Sequence, residues 1–136
     1  MKVTPNHKLM IKSELQEIDK VEQFLKEIFL YHHLPDSCFN KVFLCVSEAV
    51  NNSIVHGNKK VANKQIEVHI NCQEKTVEVM VSDEGTGFDI SKIPDPTHRD
   101  NILNESGRGI HIIKSISDVI EFNEETNSLH FQINCS

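Results

Sequence analysis

Glycine occurs at only five positions in this chain, Gly57, Gly85, Gly87, Gly107 and Gly109, where an average composition of roughly 7% would supply about twice as many. One of them closes an apolar helical stretch. The other four form two Gly-x-Gly pairs. Isolated glycines usually mark turns, but a tight Gly-x-Gly lets backbone approach a ligand closely or adopt positive φ. Two such pairs and a helix-end glycine, in a chain otherwise without glycine, point to a ligand site.

The stretch before the first glycine reads as a helix running to about residue 56. Leu34-Pro35 breaks the preceding helix, and Asp36 or Ser37 is suited to cap this one. Phe39, Val42, Phe43, Val46, Ala49, Val50 and Ser53 form one stripe. Leu44, Ile54 and Val55 widen the apolar share, so burial over most of the circumference is expected. Glu48 and Asn52 lie one turn apart on a shared face. Burying them costs free energy unless they are paired. A structural Glu–Lys pair is one answer. The other is a metal–nucleotide site, in which the acid takes a proton and the amide oxygen ligates a hard cation such as Mg²⁺.

Two alternating segments follow. In 65–71, Ile66, Val68 and Ile70 share a face, and in 76–82, Val77, Val79 and Val81 do, which predicts a hairpin joined through 72–75. Asp83 is in phase with the three valines and therefore points to the core side, where a carboxylate needs a donor. The exocyclic amino group of adenine is such a donor; the plainer reading is an Asp that starts a turn. Periodicity then disappears from 88 to 106, a length that suits a lid over a site. Ser106-Gly107-Arg108-Gly109 opens a helix over 110–117 with Ile110 and Ile113 inward. A glycine-rich turn entering a helix N-terminus can cradle phosphate through free N–H groups, and Arg108 can add a charge-assisted contact. The remaining expectations are a strand at 8–12, a packing helix at 17–33 and strands at 119–123 and 128–134.

Composition narrows the function classes. A chain of 136 residues is expected to be one domain, 1–136. No apolar run approaches the ~18 residues of a membrane span and no signal core opens the chain, so a cytoplasmic location is expected. A net charge of −6 without a basic patch argues against nucleic-acid binding. Cys38, Cys45, Cys72 and Cys135 have no Cys-x-x-Cys spacing and are expected as free buried thiols. His32 and His33 are adjacent, but helix neighbours diverge, so no metal site is expected there. Walker A, the Rossmann fingerprint and the Gly-x-Ser-x-Gly elbow are all absent.

Glu48-x-x-x-Asn52, Asp83-Glu84-Gly85-Thr86-Gly87 and Ser106-Gly107-Arg108-Gly109-Ile110 resemble, in order and spacing, the three boxes of the GHKL (Bergerat-fold) ATPases. The stretches 47–57 and 87–97 look similar to one branch, the RsbW-type anti-sigma-factor serine/threonine kinases. The likeness covers nearly the whole chain. It implies an α/β (α+β) two-layer sandwich, with a mixed, mostly antiparallel sheet covered on one face by helices. It implies ATP and Mg²⁺ as cofactors, Glu48 as general base, Asn52 as metal ligand and Asp83 on the adenine amino group. Gly85 and Gly87 would pass close to the adenine. Ser106, Gly107, Arg108, Gly109 and Ile110 would form the phosphate segment, under a lid over 89–106. The implied function is an anti-sigma factor and protein kinase that binds a sigma factor, phosphorylates a STAS-domain antagonist and, by analogy, forms a homodimer. The alternative is a non-catalytic ATP-binding switch. Two departures stand out. Glu105 replaces a basic residue that some relatives carry before the last box, and the only candidate for a late-strand threonine is Thr126, in a turn.

Overall fold

The computed structural model describes residues 6–54, 64–84, 105–123, 126 and 128–136. Strand β1 (Asn6–Lys12) leads through a single 3-10 turn (Leu15–Glu17) into helix α1 (Ile18–His32) and helix α2 (Asp36–Asn52). Strands β2 (Gln65–Gln73) and β3 (Thr76–Asp83) form a hairpin. Helix α3 (Glu105–Ile116) and strands β4 (Val119–Asn123) and β5 (Ser128–Asn134) complete the described chain. The five strands form one sheet in the order β1-β2-β3-β5-β4. Every pairing among them is antiparallel. This is the α+β sandwich that the sequence resemblance implies.

Alternation decides which face of the sheet is covered. Val68 stands opposite Val81, which stands opposite Leu129, and Ile70 opposite Val79, which stands opposite Phe131. All six are buried in one core with Val21, Leu25 and Ile28 of α1, Val42, Val46 and Val50 of α2, and Ile110 and Ile113 of α3. Burying each such side chain contributes roughly 1.5–3 kcal/mol. A one-residue slip of β3 would turn Val77, Val79 and Val81 outward and bring Glu78 and Met80 in. The register is therefore strongly specified, and with it the side on which Asp83 lies, opposite the buried Ile66.

Helix α1 ends at His33, which adopts left-handed φ 53° and donates its N–H to Leu30 O, while Leu34 N–H donates to Phe29 O. These two bonds satisfy carbonyls that a helix end otherwise leaves without partners. The expected cap of α2 is corrected. Pro35 occupies the N-cap with no side-chain cap, and Asp36 is the first helical residue, where its charge still complements the helix dipole. Helix α2 is also less enclosed than expected, because Leu44 is 42% exposed. Helix α3 begins at Glu105, five residues before the expected Ile110, and takes both of its glycines into the helix.

The cysteines depart most from expectation. Cys38, in the first turn of α2, is disulfide-bonded to Cys135, just beyond β5, across 97 residues with Cα atoms 5.6 Å apart. Only Cys45 and Cys72 are free thiols, both buried. The physical reason is tertiary: β5 runs beside β3, and Cys135 N–H donates to Lys75 O in the β2–β3 turn at 2.7 Å. Lys75 Nζ in turn donates to His33 O at the α1–α2 junction.

Candidate functional site

The candidate site draws on the C-terminal half of α2, on α3 packed against it, and on the end of β3. Glu48 and Asn52 project from α2 one turn apart, as their spacing predicts. Glu48 is half-buried, whereas Asn52 is 4% exposed. The Asn52 amide oxygen is buried and accepts no hydrogen bond among the described residues, and neither does the Ser47 hydroxyl beside Glu48. A buried amide oxygen left this way costs roughly 1–3 kcal/mol.

Glu48 reaches across to α3. A Cβ built on Gly109 would stand 2.9 Å from Glu48 Oε2. Gly109 therefore serves close approach of the two helices; it lies within α3 and has no positive φ. The contact places a carboxylate against the N-terminal half of α3, where the helix dipole favours negative charge. The same charge is felt by Cys45, whose thiol is pushed up to about 12 first by burial and then by Glu48.

Asp83 ends β3, half-buried and on the covered side of the sheet. The next residue, Glu84, accepts the backbone N–H of Gln65 and closes this end of the β2–β3 hairpin. Ser106, Gly107 and Arg108 belong to the first turn of α3, whose backbone N–H groups have no partner within the helix. The side chains of Ser106 and Arg108 lie outside the described residues, as do Gly57, Gly85, Gly87 and residues 89–104 of the expected lid over 89–106, whose last two residues belong instead to α3. Ile110 is 1% exposed and belongs to the core, so only its backbone can contribute to a phosphate segment.

Helix packing thus brings Glu48 and Gly109 together, and α2 also packs on β3. Sequence reasoning overlooked Ser47 as a buried polar neighbour. A hydroxyl on the residue before Glu48 carries no periodic signal, and only the packing reveals its burial. The described residues contain no group of three His, Cys, Asp or Glu side chains able to hold a metal ion. A divalent cation would have Asn52 as its protein ligand and would take its other oxygens from phosphate and water, the usual manner of Mg²⁺. The unsatisfied Asn52 oxygen fits that role. A separate cavity of about 590 Å³ lies at the α1–α2 corner, lined by Phe29, Leu30, Leu34 and Phe39 among others, near the opposite end of α2.

A helix-borne carboxylate and amide, a glycine-bearing helix packed against the carboxylate and an aspartate at the end of a strand on the covered face suit a nucleotide-binding protein of the histidine kinase-like type. The comparisons agree: a family described as "Histidine kinase-like ATPase domain" matches residues 11–133, and the chain belongs to that family. Among curated proteins it is similar to the serine-protein kinase RsbW of Bacillus subtilis, 29% identical over 83 residues, or 57% of this chain and 52% of that protein. It is similar also to the anti-sigma F factor of Oceanobacillus iheyensis, 35% identical over 78 residues, or 56% and 53%. The chain spans about half the length of the curated relatives it matches. Among solved structures, one of the RsbU and RsbW domains of a Mycobacterium tuberculosis protein superposes with a TM-score of 0.65 at 15% identity. That match covers 96% of this chain and 32% of the other, and it shows a shared fold.

Proposed function

We propose that this protein is an ATP-dependent serine/threonine protein kinase and anti-sigma factor of a bacterial partner-switching system. In this reading it holds a sigma factor inactive and phosphorylates a STAS-domain antagonist, and it works in the cytoplasm as a homodimer. The names of the curated relatives support the class. No described helix is long and apolar enough to cross a membrane. The observation that carries the reading is the Glu48 carboxylate held against Gly109 of α3, one turn from the unsatisfied amide oxygen of Asn52.

In this reading Asp83 accepts from the adenine amino group, with Gly85 and Gly87 alongside the ring. The backbone N–H groups of Ser106, Gly107, Arg108 and Gly109 receive phosphate oxygens at the start of α3, and the backbone of Ile110 continues that turn. Asn52 holds Mg²⁺, which when bound neutralises phosphate charge. Glu48 takes the proton of the attacking serine or threonine hydroxyl. It does so from a helix packed on both the sheet and α3, and a rigid support of that kind favours a well-oriented base.

The test is transfer of labelled phosphate from Mg-ATP to a STAS-domain protein encoded beside this chain's gene, with the unmutated protein and with Glu48→Gln. Transfer that disappears with Glu48→Gln while ATP still binds supports the kinase. ATP binding with no transfer by the unmutated protein would instead identify a non-catalytic nucleotide switch.

A further inference from the structure

We propose that Cys38 and Cys135 form a reversible thiol–disulfide couple that exchanges with low-molecular-weight disulfides and thiols and locks the α1–α2 corner to the end of the sheet. The two Cα atoms are 5.6 Å apart, a spacing at which the bond forms without moving backbone. The same place carries hydrogen bonds that do not involve either sulfur. Cys135 N–H donates to Lys75 O, and Lys75 Nζ donates to His33 O. The corner therefore stays tethered when the bond opens, and the fold has two stable forms.

The pair is singled out from the other thiols. Cys45 and Cys72 are fully buried, and burial pushes their thiols up to about 12 and about 11. They stay protonated, and neither competes for a partner. Cys38 and Cys135 are 2% and 3% exposed. Exchange therefore waits on opening of the corner beside the 590 Å³ cavity, which Leu34, Asp36, Phe39 and Asn40 line on either side of Cys38 in sequence. Reversibility rests on the proposed cytoplasmic site of action, since disulfides found in reducing compartments are usually transient or sensing ones.

The chemistry closes on itself. One cysteine thiolate attacks a small disulfide and expels one thiol. The second cysteine then attacks the mixed disulfide and expels the other. The two cysteines lose two protons and two electrons, and the small disulfide becomes two thiols.

The native protein is equilibrated in oxidised or reduced glutathione, or in reduced dithiothreitol, then acid-quenched, unfolded and alkylated with N-ethylmaleimide. The alkyl groups are counted by intact mass. Of the four cysteines, two are expected to label after oxidised glutathione and four after either reductant. The reduced protein should keep its circular dichroism spectrum and melt roughly 5–20 °C lower, with reoxidation restoring the melt. Four labels after oxidised glutathione would show that no bond forms. Two labels after prolonged native reduction would mean a fixed staple. A reduced protein that unfolds would remove the second state; each of these results overturns the proposal. The Cys38→Ser/Cys135→Ser protein should melt with the reduced form and ignore glutathione. If that variant does not fold, reduction of the unmutated protein supplies the same readout. No step uses ATP or a protein partner, so failure of the kinase reading and failure of the couple are separately visible.

Discussion

Glu48 Oε2 stands 2.9 Å from the point where a Cβ on residue 109 would lie, so the carboxylate fills space that only a glycine leaves open. The atom that would collide is the far end of a flexible side chain. Gly109→Ala should therefore displace Glu48 and leave the fold intact. Melting is expected to change by only a few degrees, because alanine also favours the helix by about 1 kcal/mol. Phosphate transfer is expected to fall by about 10²-fold, the usual effect of a misplaced catalytic group. In a double-mutant cycle with Glu48→Ala the losses should not add.

Replacing Glu48 by glutamine keeps the shape and removes the base. Transfer should drop by roughly 10²–10⁴-fold, while ATP affinity by calorimetry stays within a few-fold. Unchanged transfer would remove Glu48 from the chemistry.

Asn52 separates function from stability. Its amide oxygen is buried with no partner among the described residues, so Asn52→Ala should leave the nucleotide-free protein as stable as before, or more stable by up to ~1 kcal/mol. Affinity for ATP should fall in the presence of Mg²⁺ and remain unchanged in EDTA. Equal loss in both conditions would deny Asn52 its metal.

Asp83 is held on the covered face by the β2–β3 register, opposite Ile66. Asp83→Ala should abolish the preference for ATP over GTP in competition binding. Equal affinity for both nucleotides in the unmutated protein would contradict the adenine role.

Glu17 gives a pH test. Its carboxylate is held below the usual 4.5, first by its bond to Lys20 and then by the N–H of Lys12. A depressed carboxylate contributes stability that is present above pH 4.5 and is lost as pH falls through the folded value. Glu17→Gln should thus lower the melting temperature at pH 7, and the gap to the unmutated protein should close progressively below pH 4.5. A gap independent of pH would exclude the charge as its cause.

Much of this architecture is legible in the chain because it rests on phase. The valines of β3 and the alternate residues of β2 and β5 fixed their own face, and Asp83 follows from them. The spacing of Glu48 and Asn52 placed both on one side of α2. What was not legible depends on neighbours distant in sequence. Gly107 and Gly109 read locally as the end of a loop because glycine weakens a helix, yet helix–helix packing carries α3 through both. Cys38 and Cys135 carry no spacing signal, and four cysteines allow three pairings. Only the return of β5 beside β3 makes the bond possible. Leu44 was drawn into the core by its apolarity, although it faces solvent.

The strand order holds one more consequence. β5 is the last strand in sequence but fills the slot between β3 and β4. Until it arrives, β3 has no partner on that side, and β4 has none at all among the described strands. Ribosome-bound chains that have emerged only as far as β4 would leave the outer edge of β3 open and β4 unpaired, a pattern prone to intermolecular pairing. Assembly of this sheet is thus a late, non-local event, slow by its contact order, and the nascent chain's need for protection is greatest just before residue 128 emerges.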